Sequence, residues 1–235
     1  MKTIKCKIFL CVLVLSNSHI SGQNMQIYPK IMGLNEFDLP EVSSRMWYQL
    51  NYSRDNYYID NIGNVSINTG NMDRIYRFET GNGTLIGTNR GEWGGELIFK
   101  NDIYEYTILN ENICGIVNFN NEIYVLTGLS HLGISEGRIL KLETINGIWE
   151  CTFSKEFNSS PEIYAIFDDK LYIVTFNGLI VFDGNNIQYL LNRQFWSGLY
   201  SQSIYINNEI IAIGMRGCIA VFNKQNNEVK CYKKL

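Results

Sequence analysis

The sequence predicts an all-β fold: a β-propeller of four-stranded antiparallel blades, five-bladed with an irregular N-terminal blade. Three observations carry this. A glycine opens the third strand of four similar segments, at positions 95, 137, 178 and 217, so the segments recur at steps of 42, 41 and 39 residues. Each segment reads as four short runs rich in Ile, Val, Tyr and Phe, separated by Asn, Asp and Gly, which is the composition of strands joined by tight turns. No amphipathic helical pattern of useful length falls between the copies. Four-strand units with a period of about forty residues mark propeller blades, because one meander cannot bury both faces and must stack on a neighbour.

Along the chain, Lys2, Lys5 and Lys7 precede an apolar run from Ile8 to Leu15 and a small polar stretch ending at Gly22. This is the layout of a secretory signal peptide, and the run is too short to span a bilayer. The expected division is therefore a leader over 1–22 and a single propeller domain over 23–235, secreted or periplasmic. Residues 25–70 are expected to give a fifth blade, with Met46 to Leu50 and Asn56 to Asp60 as strands, and they fit the plan least well. Arg74 to Glu79, Thr84 to Asn89, Glu96 to Phe99 and Tyr104 to Leu109 form the first clear copy. The second runs through Ile113 to Phe119, Asn121 to Gly128, Gly137 to Leu142 and Ile148 to Phe153. Glu162 to Phe167, Asp169 to Asn177, Gly178 to Asp183 and Ile187 to Leu191 make the third. The fourth is Ser203 to Ile206, Asn208 to Arg216, Gly217 to Phe222 and Glu228 to Tyr232.

Within the third copy, Lys170 to Gly184 reads Lys-Leu-Tyr-Ile-Val-Thr-Phe-Asn-Gly-Leu-Ile-Val-Phe-Asp-Gly. It resembles the repeat of two-component-regulator-type propellers, in which an apolar strand, a Thr/Asn-Gly turn and a second strand ending in Asp-Gly recur. The resemblance implies blades that act as sensory or ligand-binding modules outside the membrane.

Charge and histidine content narrow the function. The chain holds 20 basic and 23 acidic residues; three basic and no acidic ones lie in the expected leader, so the net charge moves from −3 to −6 on its removal. An acidic surface repels phosphate backbones and anionic lipid, which argues against nucleic acid or a membrane face as partner, and with the apolar run too short to span a bilayer no membrane insertion is expected. His131 is the one histidine beyond the leader, so multi-histidine metal sites are excluded and a hydrolase triad would hang on that residue alone. Gly91, Gly94 and Gly95 are not followed by a helix carrying Lys-Ser/Thr, so no phosphate loop is present and no cofactor is implied.

In a meander blade, the loop between strands two and three shares one end with the link to the next blade. The opposite end here consists of short Asn/Asp/Gly turns, while the first end carries the unusual residues. Arg90, Glu92, Trp93, His131, Glu136, Trp196 and Arg216 are the candidate partner-binding set, Arg and Trp being frequent interface anchors. The same residues also suit packing, with Trp93 and Trp196 wedged between blades and Arg90 paired to Glu92 or Glu96. The reading that results is an exported, non-catalytic binding protein for a protein or glycan partner, one form being an immunity-type antagonist of a toxin or enzyme. The alternative is a five-bladed glycoside-active enzyme using Glu92, Glu96 and Glu136, since that chemistry needs only a carboxylate pair. Cys218 and Cys231 are expected opposite each other across a hairpin, as a disulfide. Cys114 and Cys151, on the first and fourth strands of one blade, are expected to be buried thiols.

Overall fold

The computed structural model describes residues 33–69, 75–192 and 196–234; the expected leader lies outside them. Its first strand is β1 (Asn35–Phe37), followed by helix α1 (Arg45–Asn51) and a hairpin of β2 (Asn56–Ile59) and β3 (Val65–Asn68). Four antiparallel meanders follow. The first sheet comprises β4 (Ile75–Thr80), β5 (Gly83–Thr88), β6 (Leu97–Lys100) and β7 (Glu105–Leu109). The second holds β8 (Ile113–Phe119), β9 (Glu122–His131), β10 (Ile134–Ile145) and β11 (Ile148–Phe157). The third is β12 (Pro161–Phe167), β13 (Lys170–Thr175), β14 (Gly178–Phe182) and β15 (Ile187–Asn192). The fourth contains β16 (Ser201–Ile206), β17 (Ile210–Met215), β18 (Ile219–Asn223) and β19 (Val229–Lys233), and β1 adds to the edge of β19. The chain is thus all-β in four-stranded antiparallel sheets.

Apolar patterning explains how the sheets stack. The central strands β13, β14, β17 and β18 are apolar at almost every position because both faces are covered. Along β17, Ile211 and Ile213 face the third sheet, while Ile210 and Ala212 face the β2–β3 hairpin. Along β13, Leu171 and Ile173 join the core shared with the second sheet, and Tyr172 and Val174 the core shared with the fourth. A further core joins Leu85, Leu97 and Phe99 of the first sheet to Ile113, Val125 and Leu140 of the second. The second, third and fourth meanders therefore each lie between two neighbours, and the opening strands β4, β8, β12, β16 and β2 lie successively against one another. Burying a side chain of this size stabilises by about 1.5–3 kcal/mol, so the stacked faces outweigh any local propensity.

The repeated glycine has a steric cause. A Cβ at Gly95 would stand 2.8 Å from the Glu111 carbonyl oxygen, at Gly137 2.4 Å from that of Ser159, and at Gly178 2.1 Å from that of Leu191. In the first two sheets the link leaving the fourth strand, and in the third the end of the fourth strand itself, passes directly over this glycine, with no room for a side chain. At Gly217 the covering segment is α1 instead, with Leu50 O 2.9 Å from that Cβ. At the other end, Asn120-Asn121, Asn146-Gly147 and Asp168-Asp169 all have positive φ, as two-residue hairpin turns require.

Three expectations need correction. Met46 to Leu50 is helical rather than extended. Ser44 caps the helix by accepting from Trp47 N at 3.2 Å, and Leu50 is driven into the core beside Trp196 and Leu199. The expected Cys218–Cys231 disulfide is not formed, and both are free thiols. The β18–β19 register sets Ala220 opposite Cys231, which leaves Cys218 two residues further along and diagonal to it. A hydrogen bond to Cys218, and then burial, hold the Cys231 thiol well above its ordinary pKa. Cys114 is buried as expected, but Cys151, on the outer strand β11, is exposed.

Candidate functional site

The connections β5–β6, β9–β10, β13–β14 and β17–β18 gather at one end of the stack with the links between sheets. After β5 the chain makes a 3-10 turn over Gly91–Trp93. Buried Asn112, from the link into the second sheet, pins that turn: its Oδ1 accepts from Arg90 N at 3.0 Å and its Nδ2 donates to Gly91 O at 2.7 Å. With the backbone fixed, Trp93 is left 80% exposed at the tip.

The β9–β10 segment, expected to be a loop from Leu129 to Glu136, is a continuous hairpin whose strands run to 10 and 12 residues. Its turn places Leu132 at φ 47° and Gly133 at φ 86°. Leu132 is 90% exposed and Ile134 is also exposed. Asn or Gly would suit both that backbone region and the solvent better than leucine. His131 Nε2 lies 2.9 Å from Glu92 Oε2, which ties the hairpin to the turn that carries Trp93.

Below this corner a cleft of about 620 Å³ opens along the seam of the first and second sheets. Thr127, Arg138 and Glu156 are successive cross-strand partners on β9, β10 and β11, so their side chains share one face of the sheet. That face looks toward the first sheet, because Arg138 forms an ion pair with Glu111 of the β7–β8 link. Glu136 lines the same cleft.

The structure therefore assembles part of the expected set. Arg90, Glu92, Trp93, His131 and Glu136 all belong to the corner of the first and second sheets. Arg90 is committed to Glu96 at 3.7 Å, one of the internal pairings weighed from the sequence. Trp196 does not belong to a binding rim: it is 1% exposed, sits in the core between the third and fourth sheets, and donates Nε1–H to Thr175 O at 3.1 Å. Arg216 is half-buried in that second region, donating to Asn51 O at 3.2 Å with its guanidinium 4.9 Å from the Tyr200 ring centre. Sequence reasoning missed Glu111, Arg138 and Glu156; the one signal available for Arg138 is its place directly after the repeat glycine Gly137. Among the described residues no cluster of His, Cys, Asp and Glu could hold a metal ion, and no helix is long and apolar enough to cross a membrane.

No family model matches the chain, and no curated protein matches it. Among solved structures, a chain of the S. cerevisiae assembly of a Dbp5 variant bound to Nup159, a Gle1 variant, IP6 and ADP is similar at 6% identity and a TM-score of 0.27, over 78% of this chain. The match spans 60% of that chain's length, and a likeness of that strength defines neither fold nor function.

Proposed function

We propose that the protein is an exported, non-catalytic binding protein, a small five-bladed propeller whose fifth blade is the short β2–β3 hairpin, and that the Trp93–Leu132 corner is its binding surface. Stacking of the four meanders and the hairpin through their opening strands supports the ring; the N-terminal lysine-rich, apolar leader supports export. The observation that carries the binding reading is Leu132, 90% exposed and at positive φ, beside Trp93, 80% exposed. Two large apolar side chains held out by a pinned turn and an overlong hairpin lower the stability or solubility of an isolated domain, and a protein partner that covers them supplies the reason to keep them. An immunity-type antagonist of an exported toxin or enzyme is the version that suits a rigid, acidic module with one decorated end. The glycoside-active alternative loses ground because Glu92 is tied to the His131 imidazole at 2.9 Å and Glu96 to the Arg90 guanidinium at 3.7 Å.

The test is capture from secretions of the producing cell, with wild type against Trp93→Ala/Leu132→Asp. A partner retained by wild type and lost by the variant supports the reading. A partner retained equally by both overturns this surface.

A further inference from the structure

We infer that the cleft below the Trp93–Leu132 corner receives a basic side chain, the guanidinium or ammonium group of an arginine or lysine on the protein partner. This rests on the binding reading above and specifies the chemistry of what binds.

The lining of the cleft sets its charge. Glu111, Glu136, Glu156 and Arg138 are its ionisable residues. Glu111 neutralises Arg138, which leaves Glu136 and Glu156 on the same opening with no ion-pair partner among the described residues. Two carboxylates facing one cleft repel each other, and a cation entering between them relieves that repulsion while gaining attraction to both. Thr127, 1% exposed, lies on the same face, and its hydroxyl makes no hydrogen bond to a described residue. It offers a neutral acceptor beside the carboxylates. The Asn112 side chain, by contrast, is spent on the Gly91–Trp93 turn.

Charge and shape agree on the occupant. A cleft of about 620 Å³ is large enough to admit one long side chain. The turn that carries Trp93 contributes Gly94 to the lining, and the hairpin that carries Leu132 and Ile134 contributes Leu129 and Glu136, so exposed apolar groups adjoin the cleft and would cover the aliphatic stem. Glu92 and Glu96 add to the acidic field around the opening, Glu96 being partly offset by Arg90. A basic partner would accordingly be steered to this corner and away from a neutral one. Arginine has the further advantage that its planar fork can engage the two carboxylates at once.

The experiment is an NMR titration of the chain from residue 23 onward with N-acetyl-arginine methylamide, its lysine counterpart, and the uncharged citrulline counterpart. The indole Nε1–H of Trp93 and the amides of Gly94 and Gly128 report on the cleft. The inference expects saturable shifts at those signals with the two cationic probes, at least tenfold weaker binding in Glu136→Gln/Glu156→Gln, and weakening as salt is raised. Both glutamates are solvent-accessible, so the variant keeps the wild-type thermal unfolding curve, which separates loss of binding from loss of fold. An equal response to the citrulline probe, unchanged binding by the double variant, or selective binding of a neutral oligosaccharide or of calcium ion in place of the cations would overturn it. If the cationic probes fail while Trp93→Ala/Leu132→Asp still loses the captured partner, the corner stands and only the basic side chain is wrong.

Discussion

The two tryptophans placed on one rim by the sequence make a discriminating pair of substitutions. Trp196 is 1% exposed, packed among Val174, Leu199 and Met215, and its indole N–H satisfies the Thr175 carbonyl. Removing a buried Trp side chain costs about 3–5 kcal/mol, and losing its hydrogen bond to the Thr175 carbonyl adds about 1 kcal/mol. A domain of this size loses roughly 2–4 °C in Tm per kcal/mol, so Trp196→Ala should melt on the order of 10–20 °C below wild type and lose near-UV circular dichroism early. Trp93, at 80% exposure, has little burial to lose, and Trp93→Ala should stay within about 0.5 kcal/mol of wild type while losing partner capture. Urea unfolding followed by circular dichroism gives both stabilities. Equal, small effects from the two substitutions would refute the assignment of Trp196 to the core. A large destabilisation from Trp93→Ala would refute the assignment of Trp93 to the surface.

Other outcomes follow from the same geometry. Gly178→Ala should destabilise by roughly 1–3 kcal/mol, the usual cost of overpacking, because its Cβ would fall 2.1 Å from Leu191 O; Gly81→Ala, with nothing within 4 Å, serves as the neutral control in the same urea series. Burial chiefly raises the phenol pKa values of Tyr57, Tyr164 and Tyr172, and raises that of Tyr124 to about 12, with its hydrogen bond to Glu122 contributing. Raised folded-state values mean that this stability is intact below the ordinary tyrosine value of 10 and is lost as pH climbs toward about 12. Absorbance at ~295 nm should then show a late-titrating group of tyrosines coinciding with unfolding, and a single step centred near ~10 would contradict the buried environments. In the chain from residue 23 onward, a thiol-specific reagent should modify Cys151 alone in the native state and Cys114, Cys218 and Cys231 as well after denaturation without reductant. Recovery of only two thiols after denaturation would show that the Cys218–Cys231 pair is oxidised after all.

Much of the architecture is legible in the chain because it is local or periodic. The recurrent glycines announce the places where a link crosses a strand, and the Asn, Asp and Gly pairs announce turns whose φ is positive. Side-chain burial at the decorated end is not local. Nothing around Trp93 or Trp196 in sequence says that one loop is pinned outward by Asn112 while the other folds into a core. Strand propensity of Trp-Tyr within Met46 to Leu50 points the wrong way, and only the Ser44 cap hints at a helix. The cysteine pairing failed for a different reason. A turn centred by inspection misses the register by two residues, and two residues separate facing from diagonal neighbours. The cleft carboxylates were hidden because Glu111 and Glu156 lie far apart in sequence and meet only through the packing of two sheets.

Site-specific photocrosslinking tests the binding surface most directly. A photoreactive residue replaces Leu132, 90% exposed at the hairpin tip, and, in a second protein, Ile103, 87% exposed in the β6–β7 turn at the opposite end. Exposure of the two sites is nearly equal, so only position distinguishes them. The account predicts one discrete adduct from position 132 in secretions of the producing cell, diminished by Trp93→Ala and absent from position 103. A discrete adduct from position 103 with none from 132 would place the binding surface at the other end of the molecule and contradict it.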